Sequence, residues 1–206
     1  MRRLMTGALA AAAALTLSLA SAGAQDRAKD VRQEIRHELL QLPYYSVFDF
    51  LAFKYDRGTA VLMGYAYAPN LKQDAEHAVK RVPGVDTVEN HIEQLPPSQQ
   101  DDDLRWKIYY AIYTDPFLSK YAPGGAFLWG HRHRFGGFYG LWDGMEPAGD
   151  YPIHVIVKGG RVDLMGVVDD AGDRTIAEMK ARQVPGSFDV KNDLIVEREA
   201  DRKASR

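Results

Sequence analysis

Apolar residues fall at helical spacing over Val31, Ile35, Leu39 and Leu42, and Pro43 closes the run. The pattern then changes to a period of two. Leu51, Phe53 and Tyr55 alternate with other residues, Asp56-Arg57-Gly58 supplies a turn, and Ala60, Leu62, Gly64 and Ala66 alternate again, which predicts a hairpin. A helix over Asn70 to Val82 follows, ended by Val82-Pro83-Gly84, and a last strand holds Val85, Val88 and Ile92. The same succession recurs downstream. Leu104, Ile108 and Ile112 mark a helix behind the acidic run Asp101-Asp102-Asp103, whose carboxylates suit the positive end of the helix dipole. A second hairpin turns at Lys158-Gly159-Gly160-Arg161 between Ile153, Val155, Val157 and Val162, Leu164, Gly166, Val168. Then come a helix over Ala171 to Val184 and a strand with Phe188, Val190, Leu194 and Val196.

This succession is a duplication. Displaced by 102 positions, Gly58 to Gln94 lies on Gly160 to Val196 without a gap, and eleven of the 37 positions are identical. Upstream the displacement is 73, where Ile35, Leu39 and Pro43 fall on Ile108, Ile112 and Pro116. The second copy therefore carries a 29-residue insertion, between about Phe117 and Asp150. The expected fold is α+β: two tandem α-β-β-α-β modules, over 27–95 and 99–198, each a three-stranded mixed sheet with two helices on one face. Each module is close to the size at which a single core is marginal. They are expected to pack side by side through helices and the insertion, across the stiff junction Leu95-Pro96-Pro97-Ser98.

The repeated motif reads Val162-x-Leu164-x-Gly166-x-Val168, then a helix, then Val184-Pro185-Gly186 and Val190-x-Asn192-x-Leu194. The first copy has Gly64, Gly84 and Asn90 at the same places as Gly166, Gly186 and Asn192. This motif resembles the BON domain. A tandem pair is similar to osmotically inducible periplasmic proteins of that family. The resemblance implies a transport-associated domain of the periplasm with a role in envelope stress. It also implies phospholipid membrane surface or envelope proteins as partners, and no catalysis. The matched residues have structural explanations as well: a strand glycine admits a close neighbour, a glycine after a helix turns the chain, and the asparagines suit a bond to nearby loop backbone.

The insertion departs from that pattern. From Phe117 to Tyr151 the chain holds nine aromatic residues separated by glycines, a composition unlike a disordered linker. Phe127, Leu128, Trp129, Phe135, Phe138, Tyr139 and Trp142, with Arg132 and Arg134, are candidates for a membrane or partner contact, because Trp and Tyr favour the membrane interface. Alternatively the rings pack against the module, where Trp106, Tyr109, Tyr110 and Tyr113 form an aromatic helix face. A third reading pairs His131 with His133, and at most His154, around a metal, too few ligands for a closed site.

Composition narrows the classes. Arg2 and Arg3 precede an apolar run ending at Ala22-Gly23-Ala24, so residues 1–24 read as a signal peptide cleaved after Ala24, which places the protein in the periplasm. No cysteine occurs, which excludes disulfides, thiolate metal sites and a cysteine nucleophile. The formal net charge is −2, and more negative once Arg2 and Arg3 leave, so nucleic acid is not an expected partner. No nucleophile elbow, phosphate loop, His-Glu-x-x-His or dinucleotide fingerprint is present. Asp169-Asp170 suit a helix cap better than acid-base work. The expectation is a non-enzymatic binding protein without a cofactor.

Overall fold

The computed structural model describes residues 27–122, 146–148 and 151–197. In chain order the elements are α1 (27–40), β1 (Phe50–Asp56), β2 (Thr59–Ala66), α2 (Leu71–Lys80), β3 (Thr87–Gln94) and α3 (Gln99–Tyr113). A 3-10 turn (Ser119–Tyr121) follows, then β4 (Glu146–Ala148), β5 (Ile153–Lys158), β6 (Arg161–Val168), α4 (Ala171–Arg182) and β7 (Asp189–Val196). The α-β-β-α-β succession occurs twice. Both α2 and α4 stop two residues before the valine of Val-Pro-Gly, in keeping with the bias against helical backbone ahead of proline.

Each hairpin is antiparallel, and each third strand runs parallel to the second. Arg57 and Gly58 make the first turn at φ 43° and 85°, and Gly159 and Gly160 the second at 59° and 76°, the left-handed pair that a two-residue hairpin loop requires. Register is duplicated too: Leu62 faces Asn90 across β2 and β3 as Leu164 faces Asn192 across β6 and β7.

The two cores follow from the strand alternation. Ile35 and Leu39 pack with Phe53, Leu62, Ala75, Val79 and Ile92 in the first module. Ile108 and Ile112 pack with Val155, Leu164, Ala177, Ala181 and Leu194 in the second, at the repeat-equivalent positions.

Two features differ from the sequence expectation. The first sheet has a fourth strand, in the order β3-β2-β1-β4, because Glu146–Ala148 pairs antiparallel with Leu51–Phe53 of β1. Three residues are too few to leave a periodic signal. The counterpart contact runs the other way: the Val155 amide of β5 donates to the Val47 carbonyl at 2.9 Å. The chain just ahead of each hairpin thus crosses to the edge of the other module's sheet.

The second difference concerns the joint. It forms chiefly through the helix-free sheet faces, where Phe50, Ala52 and Tyr65 meet Ile156 and Met165, closed by Leu95 and Tyr67. The helices contribute through α3 alone among the contacts described below. The reason is visible in β1 and β5, which are buried at nearly every position, as strands covered on both faces must be. The helices spend their aliphatic stripes on their own sheets, and α3 alone among them is described with a second, aromatic face that meets Phe48 of the first module.

Candidate interaction surface

Phe127, Leu128, Trp129, Arg132, Arg134, Phe135, Phe138, Tyr139 and Trp142 lie outside the described residues, as do His131 and His133. The chain on either side of them is anchored. On the near side Tyr121 is buried; its hydroxyl donates to Asp173 Oδ2 at 2.5 Å and accepts from the Asp169 amide at 2.8 Å. Lys120 Nζ sits 2.7 Å from Asp169 and 2.8 Å from Asp173. Burial pulls its pKa down, but the two carboxylates outweigh burial and hold it above the usual lysine value. On the far side, β4 is held on β1. One end of the insertion is therefore fixed to the second module and the other to the first.

The aromatic face of α3 has a partner from the first module. Phe48, ahead of β1, meets Trp106 edge-on at 4.9 Å between centroids, Tyr109 at 6.1 Å and Tyr67 at 5.9 Å. Arg105 is buried across the same junction. Its guanidinium lies 4.5 Å from the Tyr67 ring centre, donates to the Val157 carbonyl at 2.5 Å and pairs with Asp102. Tyr113 is buried and donates to the Ile153 carbonyl; burial raises its hydroxyl well above the ordinary tyrosine value. Beyond these buried members the face is open. On α3 Trp106 is 49% exposed and Tyr110 58%, their ring centres 6.1 Å apart, and Phe117, past the end of α3 at the root of the insertion, is 68% exposed.

The glycines and asparagines of the repeated motif have matching geometry in both copies. Gly64 and Gly166 have φ of 123° and 125°, and a Cβ there would stand 1.9 Å from the Phe50 carbonyl oxygen and 2.1 Å from that of Pro152. Asn90 Nδ2 donates to the Lys72 carbonyl at 2.8 Å and to Glu76 at 3.0 Å, while its Oδ1 accepts from the Ile92 amide. Asn192 does the same with Arg174, Glu178 and Leu194. These asparagines bond helix backbone and so tie α2 to β3 and α4 to β7. Glu76 and Glu178 are held below the usual carboxylate range, by Lys80 with Asn90 and by Asn192 with Arg182.

The polar residues at the joint were only partly legible in the sequence. Asp49 is fully buried and accepts from the Ser46 amide and hydroxyl and from the Tyr67 and Ala68 amides, at 2.6 to 2.9 Å. Its repeat position is Tyr151, so the duplication could not flag it. Asp101 accepts from the Gly159 and Gly160 amides at 2.8 and 2.9 Å. Arg105 was findable, since the 73-residue displacement places it on Arg32, which likewise donates to a β1 carbonyl, that of Tyr55. His154 is 2% exposed and stands against Phe50, Tyr45 and Tyr151. Among the described residues no group of three His, Cys, Asp or Glu is placed to hold a metal ion.

A profile of the BON domain matches residues 27–96 and 146–198, more than half of the chain. The chain belongs to the BON domain family. The match to the second BON domain begins at β4, so α3, cut off from its hairpin by the insertion, falls outside the matched stretch although it packs as that domain's first helix. None of the curated proteins matches the chain. Two solved structures of CdsD, a structural protein of the type III secretion system of Chlamydia trachomatis, are similar at low level. Its C-terminal domain is 14% identical, with 80% of this chain and 96% of that one covered and a TM-score of 0.25. The other is 16% identical, with 86% and 98% covered and a TM-score of 0.27. At those scores the likeness carries no inference for this BON protein.

Proposed function

We propose that this protein is a non-enzymatic component of the bacterial envelope that works by binding, with the phospholipid membrane surface, or an envelope component lying on it, as its partner. The observation that carries the reading is the exposure of Trp106 and Tyr110 on α3 and of Phe117 at the root of the aromatic and arginine-containing insertion. Tryptophan and tyrosine suit the boundary between headgroups and acyl chains, where a ring is buried and a polar tip stays wet. Among the described residues no helix is long and apolar enough to cross a membrane. The leader-like residues 1–24 support export to the periplasm, and family membership supports a role there.

Co-sedimentation with vesicles of phosphatidylethanolamine and phosphatidylglycerol tests the reading. The native protein should pellet with vesicles. Trp106→Ser with Tyr110→Ser, and separately Trp129→Ser with Arg132→Ser and Arg134→Ser, should each weaken binding by roughly tenfold, since interfacial aromatics and basic residues hold such contacts. Equal binding by all three proteins would remove the membrane surface as the partner.

A second reading is favoured by one observation, the pairing of β4 with β1: the insertion then serves as a clasp joining the two modules. Under it, the triple variant lowers the thermal midpoint and leaves vesicle binding untouched.

A further inference from the structure

His154 occupies the joint itself. It lies on the face of β5 turned away from its own module's helices, and its ring packs on Phe50 of β1 at 5.3 Å and on Tyr45 at 5.9 Å, both from the first module. Tyr151 closes the cage at 5.8 Å. Nδ1 has no hydrogen-bond partner, although the side chain is buried. The adjoining backbone amide, that of Val155, makes the cross-module bond to Val47.

The described groups packed around it offer a cation ring faces but no uncommitted carboxylate. Tyr45 and Tyr151 present phenol rings, Met165 lies opposite on β6, and the nearby carboxylate, Asp49, is engaged by four donors of its own. Backbone of Asp49, Tyr151 and Ser46 gives partial support, but burial dominates and lowers the imidazole from 6.5 to about 4. A neutral imidazole fits this cage; an imidazolium requires water, and water reaches it only if the sheet faces part.

We propose that His154 is an acid-sensitive latch, whose protonation opens the joint between the two modules. The sign follows from the lowered value. Above pH 6.5 the ring is neutral open or closed, and the joint is at full strength. As pH falls from 6.5 toward 4 the open form takes up the proton first, so opening is favoured by up to roughly tenfold per pH unit, with no further gain below about 4. An exported protein would thereby expose the inner faces of β1 and β5 when its surroundings turn acidic.

Hydrogen exchange on the whole chain reads the latch. Protection of the Val155 amide, corrected for intrinsic rates, should fall steeply between pH 6.5 and 4, and by more than that of Leu164 and Leu194, deeper in the second core. In His154→Phe, which fills the cage with a ring that does not titrate, Val155 protection should be flat over that range. Loss of protection to the same extent in both proteins, or none in the native one, would overturn the proposal. Should His154→Phe fail to fold at pH 7, the native protein alone decides: the imidazole titration followed by NMR must share its midpoint with the opening at Val155, and separate midpoints refute the latch.

Discussion

Gly166, like Gly64, is a residue at which backbone geometry leaves little choice. Its φ of 125° is one that a side-chain-bearing residue rarely adopts, and a Cβ would collide with backbone, the Pro152 carbonyl, which has no rotamer by which to yield. We expect Gly166→Ala to cost about 3 kcal/mol or more, the sum of a strained conformation and a displaced strand end, measured as a lowered denaturation midpoint. Asn192→Ala is milder. It frees the Arg174 carbonyl near solvent and removes the bond to Glu178, and should cost about 1 to 2 kcal/mol in the same measurement. Both positions were legible because a duplicated residue is seen twice: Gly64 and Asn90 mark the same places. Asp49 was not, since its twin is Tyr151, and His154 was read only as a possible metal ligand, its twin Ala52 giving no sign of a place in the joint.

At the level of elements, α3 does more than cover its sheet. Its acidic run reads as a dipole cap, yet Ser98 is the cap, accepting from the Asp101 amide at 3.3 Å, and Asp101 turns its carboxylate to the β5–β6 hairpin. Two successive left-handed glycines point both amides the same way, and one carboxylate satisfies the pair. Asp101→Ala should cost about 2 to 4 kcal/mol, as two amides lose a charged acceptor, and should raise exchange at Gly159 and Gly160 ahead of the strands. An unchanged midpoint would mean that water replaces the carboxylate at no loss. The sequence showed where α3 begins and which stripe faces the core, because those depend on local spacing. It did not show that Asp101 and Arg105 reach the β5–β6 hairpin, because their backbone partners there lie 52 to 59 residues away.

The whole molecule behaves as two modules with one joint, and the crossing segments decide how firmly they are coupled. Val47 and Phe48 belong by sequence to the first module, but they are buried with the second module's core, beside Ile108, Ile112 and Leu164. β4, from the second copy's insertion, extends the first sheet. Neither module can unfold without uncovering an edge of the other, and each alone is near the lower limit of what one core sustains. We therefore expect a single calorimetric transition whose van't Hoff enthalpy equals the measured enthalpy, where independent modules would give two transitions or a smaller van't Hoff value. Phe48→Ala separates these cases further. Removing a buried ring costs about 3 to 5 kcal/mol, and here the loss should fall across the boundary, with exchange at Leu164 and Leu194 accelerating although the substitution lies ahead of β1. If those amides are unaffected while the first module is weakened, the coupling is absent and the joint is only a contact between separately stable units.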